Sequence, residues 1–238
     1  MQAFLAILRY DFGQLIRSWI SRIWVPLLVL PAFALVIIAH EESELASETL
    51  AFYVWAVMAP ISAIAVAILA SSAISGEATI ISDSILSRSV TRTEYVAAKI
   101  ISRLGFTLAV YLIVVIPFTY FVIRYAASDT SVVGVIIGLM MLAAMLMFLA
   151  ALGIAMSVTM SSVLPAVLVV LLSVTLSGPV LQFLGLTWMS TTAVIDQLPE
   201  TFRGDAQAWD QLRVLLVFSA LSIVALGSSV LIFRNKDL

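Results

Sequence analysis

Long apolar runs alternate with short polar ones along this chain, and the rhythm predicts six membrane-crossing helices. A helix needs about 20 apolar residues to cross the hydrocarbon core of a bilayer. Uncharged runs near that length fall at 23–39, 50–74, 104–123, 132–158, 163–184 and 214–233. Pro26 and Pro31 sit in the first and Pro117 in the third; prolines are tolerated in such helices where neighbouring helices satisfy the freed carbonyls. Tyr53, Trp55, Tyr120 and Tyr125 lie near run ends, where aromatic side chains anchor at the membrane interface. Ahead of the first run, Phe4, Leu8, Phe12, Leu15 and Trp19 recur at helical spacing, while Arg9, Gly13 and Arg17 line another face. The spacing predicts an amphipathic helix over residues 1–22 lying in the interface. Its charged region is too long for a cleavable signal peptide, and no A-x-A site follows the apolar run.

The polar stretches are unequal. His40, Glu41, Glu42, Glu44 and Glu48 make an acidic loop after the first run, and the turn from Ser157 to Ser162 is small and uncharged. Residues 186–213 form an amphipathic outer segment ahead of the last run, expected to be re-entrant and to cover the exit of any path. The longest polar stretch, 75–99, carries Glu77, Asp83, Arg88, Arg92, Glu94 and Lys99. Within it Thr91 and Glu94 have the spacing of a capping box, and Val90 and Tyr95 occupy the staple positions on either side. The pattern predicts a helix start at that point. Asp83 is placed to cap a short helix over Ser84 to Arg88. Glu77, at the carboxyl end of the second run, opposes the helix dipole unless a cation such as Arg88, Arg92 or Lys99 pairs with it.

Composition sharpens the class. The 238 residues are 63% hydrophobic and 11% charged, with a mean hydropathy of +1.15, far above the roughly half-apolar make-up of soluble domains. The expected fold is therefore an all-α integral membrane protein, one transmembrane domain over 1–238, with no room for a separate soluble domain. No Cys is present, which excludes disulfides and thiolate metal sites. No basic, aromatic-interleaved patch points to nucleic acid. With the amino terminus cytoplasmic, that side carries Arg9, Arg17, Arg22, Arg88, Arg92, Lys99, Arg103, Arg234 and Lys236, against Arg124, Arg203 and Arg213 outside. Nine against three follows the positive-inside rule and predicts both termini and residues 75–99 on the cytoplasmic side.

Candidate chemistry within the apolar runs is sparse. None contains Asp, Glu, Lys, Arg or His, the groups that carry coupling ions in pumps and carriers. Energy is therefore expected to arrive from outside the bilayer. Ser173, Thr175, Ser177, Gly178 and Pro179 offer either a broken-helix site or ordinary interhelical packing. Gly134 and Gly138 form a GxxxG close-packing face. Met140, Met141, Met145, Met147, Met156 and Met160 are scattered around their helix as gap fillers rather than stacked as a metal path. His40 is the lone imidazole, and no GxSxG, HExxH or intramembrane Asp pair is present, so no catalytic, cofactor or metal site is expected.

Residues 75–99 resemble the first cytoplasmic loop of type-2 ATP-binding-cassette (ABC) permeases, typically E-x-E-x-G-T-L-E-x-L-L-S-x-P-V-S-R followed by a Lys. The matching run is Ile85-Leu86-Ser87-Arg88-Ser89-Val90-Thr91-Arg92, then Lys99, with Asp83 on the acidic position and Glu77 near the opening Glu. Ile80 and Ile81 stand where Gly-Thr is usual, Ser89 replaces Pro and Thr91 replaces Ser. The basic tail from Phe233 to Leu238, the amphipathic leader, six spans and outer segment extend the similarity over the chain. The resemblance implies an exporter-like permease subunit in a prokaryotic cytoplasmic membrane, paired with a second permease subunit as homodimer or heterodimer. A separate ABC ATPase would carry the ATP and Mg, since this chain has no G-x-x-x-x-G-K-[ST] loop. Its contact would involve Glu77, Asp83, Arg88, Thr91, Arg92 and Glu94. The alternative is a non-transporting membrane accessory or scaffold that recruits a cytoplasmic partner.

Overall fold

A computed structural model describes residues 2–75 and 92–235, and among these the chain is helical with no strand. Glu77, Asp83, Arg88 and Thr91, and the helix expected over 84–88, lie outside the described residues. Helix α1 covers Gln2–Arg17 and α2 covers Trp19–Glu41. The second span comprises α3 (Ala46–Tyr53), a π-helical turn (Val54–Met58) and α4 (Ala59–Ser75). Then come α5 (Arg92–Tyr125), α6 (Val132–Thr159) and α7 (Val163–Phe183). A 3-10 turn (Thr187–Met189) and two short helices, α8 (Thr191–Asp196) and α9 (Leu198–Arg203), lead to α10 (Ala208–Asn235). Six helices are long and apolar enough to cross a membrane, as the hydropathy pattern predicts.

The spans alternate in direction. At one end, Ile74, Tyr95, Val158 and Phe233 close a shared apolar cluster with Ile7 of α1. At the other, Leu45 bridges Ala127, His40 Nδ1 lies 3.1 Å from the Tyr125 carbonyl oxygen, and the Ser131 N–H donates to Phe202 O at 2.9 Å. Both described ends of the chain therefore lie on one face, called here the base, and the 186–213 segment lies on the opposite, far face.

Span four (α6) is the hub, packing along spans two, three, five and six. Small side chains allow this, because helices in lipid gain from close van der Waals approach rather than from hiding oil from water. Ala150, Ala151 and Ala155 of α6 are buried against a second span rich in buried Ala65, Ala67, Ala70 and Ala73. A Cβ at Gly153 would lie 2.6 Å from Ala70 Cβ, so only glycine permits the crossing. The π turn has a local cause. In an α-helix the Pro60 ring would collide with the Ala56 carbonyl and leave it without a donor. Here the Ala59 N–H reaches back five residues to Val54 O, and the wider turn accommodates the ring.

Two expectations need correction. The amphipathic leader is not one helix to residue 22: Ser18 adopts ψ 138°, ending α1 at Arg17, and Trp19 starts the first span as an exposed residue. Tyr53 is no interfacial anchor. It is 1% exposed, packs with ring centroids 4.2 Å from Phe118, and donates its hydroxyl to Leu28 O at 3.2 Å. Trp55, exposed on the adjoining π turn, keeps the anchor position.

Candidate functional site

The base is built on an extension of the third span. Helix α5 begins at Arg92, where the capping-box spacing puts a helix start, and runs about three turns before the apolar stretch begins. Tyr95, Lys99, Ser102, Arg103 and Phe106 recur at helical spacing and are all buried. Their partner is α1, whose inward face presents Leu8, Asp11, Phe12 and Leu15. Lys99 Nζ lies 2.6 Å from Asp11 Oδ1, Arg103 Nη2 lies 3.5 Å from the same oxygen, and the Ser102 hydroxyl donates to Asp11 Oδ2. The three charged side chains are 1%, 2% and 7% exposed. A carboxylate so far from water is tolerable only when paired and hydrogen-bonded, as it is here. Around it, Phe12 meets Phe106 edge-on at 5.8 Å and Tyr95 stacks on Phe233 at 6.1 Å. The Ser157 hydroxyl of α6 accepts from the Ile74 and Ser75 N–H groups at 2.8 and 3.0 Å. Helix α1 and the base ends of spans two, three, four and six thus form one packed block, flanking residues 76–91 on both sides.

Of the candidate contact residues, Glu94 lies half-buried on the first turn of α5, and the backbone of Arg92 opens that helix. Lys99, offered as a partner for Glu77, belongs to the α5 helix, where its Nζ lies 2.6 Å from Asp11 Oδ1; Glu77 itself lies outside the described residues. Asp11 is the residue the sequence reading missed. Its signal was there: an acid at the centre of the apolar face of α1 demands a buried cation elsewhere.

The far face carries a second polar knot. Asp129 accepts from the Ser47 N–H at 2.9 Å, from the Ser47 hydroxyl, and from Arg203 Nε at 3.1 Å, while Arg203 Nη2 holds Glu48 at 2.7 Å. Burial would raise the Asp129 carboxyl, but the two Ser47 hydrogen bonds and the Arg203 guanidinium outweigh it and hold it below the usual carboxylate range. A depressed carboxylate adds stability that is present above its unfolded value of about 3.9 and is lost as pH falls through the lower folded value. Thermal stability in detergent is therefore expected to fall below about pH 4, and Asp129→Asn should flatten that part of the profile. An unchanged acid limb in the variant would remove Asp129 from the account.

Gly134 and Gly138 face this far segment and not another span. A Cβ at Gly134 would strike the Thr201 carbonyl, and one at Gly138 would strike the Phe202 ring. Gly204, at φ 88°, ends α9 in the left-handed region that glycine adopts freely. The segment folds back over the bundle, burying Val194, Ile195, Leu198 and Phe202. Beneath it lies a cavity of about 550 Å³ bordered by Met58 of the π turn, Leu149, Val174 and Phe218. The fifth span is unbroken along this cavity. Ser173, Thr175 and Ser177 donate to Val169 O, Leu171 O and Val174 O at 2.7, 3.0 and 2.7 Å, so the broken-helix alternative gives way to ordinary back-bonding.

The chain gives no match to any family model, to curated proteins or to solved structures. What stands is a six-span helical membrane protein with a welded base and an apolar cavity under its far segment.

Proposed function

We propose that this chain is the membrane-spanning permease subunit of an ATP-driven ABC transporter, exporting a hydrophobic or amphiphilic substrate. A separate ATPase subunit carrying ATP and Mg docks on the 75–99 stretch, and a second permease subunit completes the path. The chain sits in a prokaryotic cytoplasmic membrane with its base inward, in keeping with the Lys and Arg bias.

The observation that supports this reading best is the Asp11–Lys99–Ser102–Arg103 cluster. A motor outside the bilayer needs a stiff connection into the spans, because a push on a loose loop is dissipated in the loop. Residues 76–91 are flanked by the Ser157-pinned end of span two and by the base of span three, itself fastened to α1. A load applied there would tilt spans two and three together with α1. The uncharged spans and the apolar cavity suit a hydrocarbon-rich cargo better than a compact ion.

Charge reversal, Arg92→Glu, is expected to leave the folded protein intact while cutting transport per ATP hydrolysed at least tenfold in vesicles containing the co-expressed ATPase. Unchanged coupling would remove Arg92 from the contact. A purified complex that binds a cytoplasmic partner yet shows no solute-stimulated ATPase activity would replace the permease reading with that of an accessory protein.

A further inference from the structure

We propose that the cavity beneath α8 and α9, together with Arg213 above it, is a binding site for one phospholipid of the leaflet on that face. The acyl chain lies in the cavity and the phosphate rests on the Arg213 guanidinium. The cavity is walled by spans two, four, five and six and roofed by Met189 and Ile195 of the far segment. Spans five and six both border it but make little contact with each other, so its open side lies between them. Its lining is almost wholly apolar; Ser173, Thr175 and Ser177 donate to their own helix carbonyls, and Ser62 Oγ accepts from the Trp24 indole N–H at 3.3 Å. Water in a cavity needs two to four polar partners, which these walls do not supply. At membrane depth the matching filler is hydrocarbon.

The head of the site is equally specific. The Arg213 guanidinium carbon lies 4.8 Å from the Trp188 ring centroid and 5.8 Å from that of Trp209. Two indoles gripping a cation at the end of a span are the side chains that favour the headgroup layer. Arg213 is ion-paired to Asp210 only at 3.9 Å, which leaves donors for the bidentate contacts a guanidinium makes with phosphate. Arg203, by contrast, is committed to Glu48 and Asp129. Trp188 adjoins the roof residue Met189, and Phe218 lies five residues along α10 from Arg213, about 7.5 Å deeper. Cation above and apolar cavity below match a phosphate joined to an acyl chain. The site stands independently of the permease reading, since it needs neither ATPase nor partner subunit.

The test uses the full chain in nanodiscs containing phosphatidylglycerol with a diazirine on one acyl chain, and a parallel set containing the same chain on diacylglycerol. Mass spectrometry after irradiation is expected to place adducts on Leu149, Val174 and Phe218. Two separate plugs, Ala63→Phe and Val174→Trp, should each lower labelling of Phe218 at least tenfold. Arg213→Gln should lower phosphatidylglycerol labelling severalfold and leave diacylglycerol labelling unchanged. Adducts spread over lipid-facing Leu164 and Leu168, and indifferent to both plugs, would overturn the proposal. So would equal loss of both labels in Arg213→Gln. The chain has no native Cys, so a disulfide between two copies through Leu221→Cys would show that a second copy covers the opening, which also overturns it.

Discussion

Asp11→Ala should destabilise the protein by about 3–5 kcal/mol, the range seen when one partner of a buried ion pair is removed. The size follows from what is left behind. Lys99 and Arg103, at 2% and 7% exposure, would lose the carboxylate they share, and the Ser102 hydroxyl would keep only its bond to Lys99 O. The pair itself need not be strongly stabilising. Desolvating an acid and a base cancels much of their attraction, so Asp11→Leu combined with Lys99→Met should lose far less than the single changes sum to. Thermal unfolding in detergent, run as a double-mutant cycle, reads both quantities. A single-variant loss under about 1 kcal/mol would mean that water reaches the cluster, because solvated pairs fall in that range. Under the permease reading the same variant also frees α1 from the third span, so transport should fail at temperatures where the fold survives.

The six spans were legible because the bilayer leaves few choices: twenty apolar residues without a charge can do little else. The observed helices contain five of the six predicted runs, and the fifth helix stops at Phe183, one residue short of its run; elsewhere they exceed the runs mostly where polar residues continue the helix, as from Arg92 to Arg103. The chemistry at those ends was not legible. Asp11 lies 88 to 92 residues from Lys99, Ser102 and Arg103 in sequence, and nothing local says that α1 lies across the base of span three. Helical spacing gave the correct face of α1 through Phe12 and Leu15, yet the acid on that face was passed over because the helix was expected to lie against lipid. The far knot was hidden for the same reason: Ser47 lies in the first turn of α3, Asp129 in the loop between α5 and α6 and Arg203 at the end of α9, and they meet only once the spans are bundled. The glycine pair 134/138 was seen as a packing face, but its partner is a six-residue helix, which no span-counting argument could foresee.

Phe202→Ala is expected to cost about 3–5 kcal/mol, the loss typical of a buried aromatic ring cut back to a methyl group. The ring is 0% exposed and lies over Gly138 on the fourth span, at the point where the far segment is fastened to the hub. Close to it, the Ser131 N–H donates to Phe202 O and Arg203 ties Asp129 to Glu48, so losing the ring loosens an anchor that several polar contacts share. Gly138→Ala tests the same contact from the other side. Its methyl would lie 2.8 Å from Phe202 Cδ1 and 3.3 Å from Cζ, closer than carbon atoms tolerate, and overpacking of this kind costs about 1–3 kcal/mol. In the Phe202→Ala background the clash has no partner, and the added methyl fills part of the vacated space. The alanine at 138 should then be neutral or stabilising, reversing its sign between backgrounds. Additive losses would mean that Phe202 does not rest on Gly138, and with it would go the fastening of the far segment that roofs the cavity.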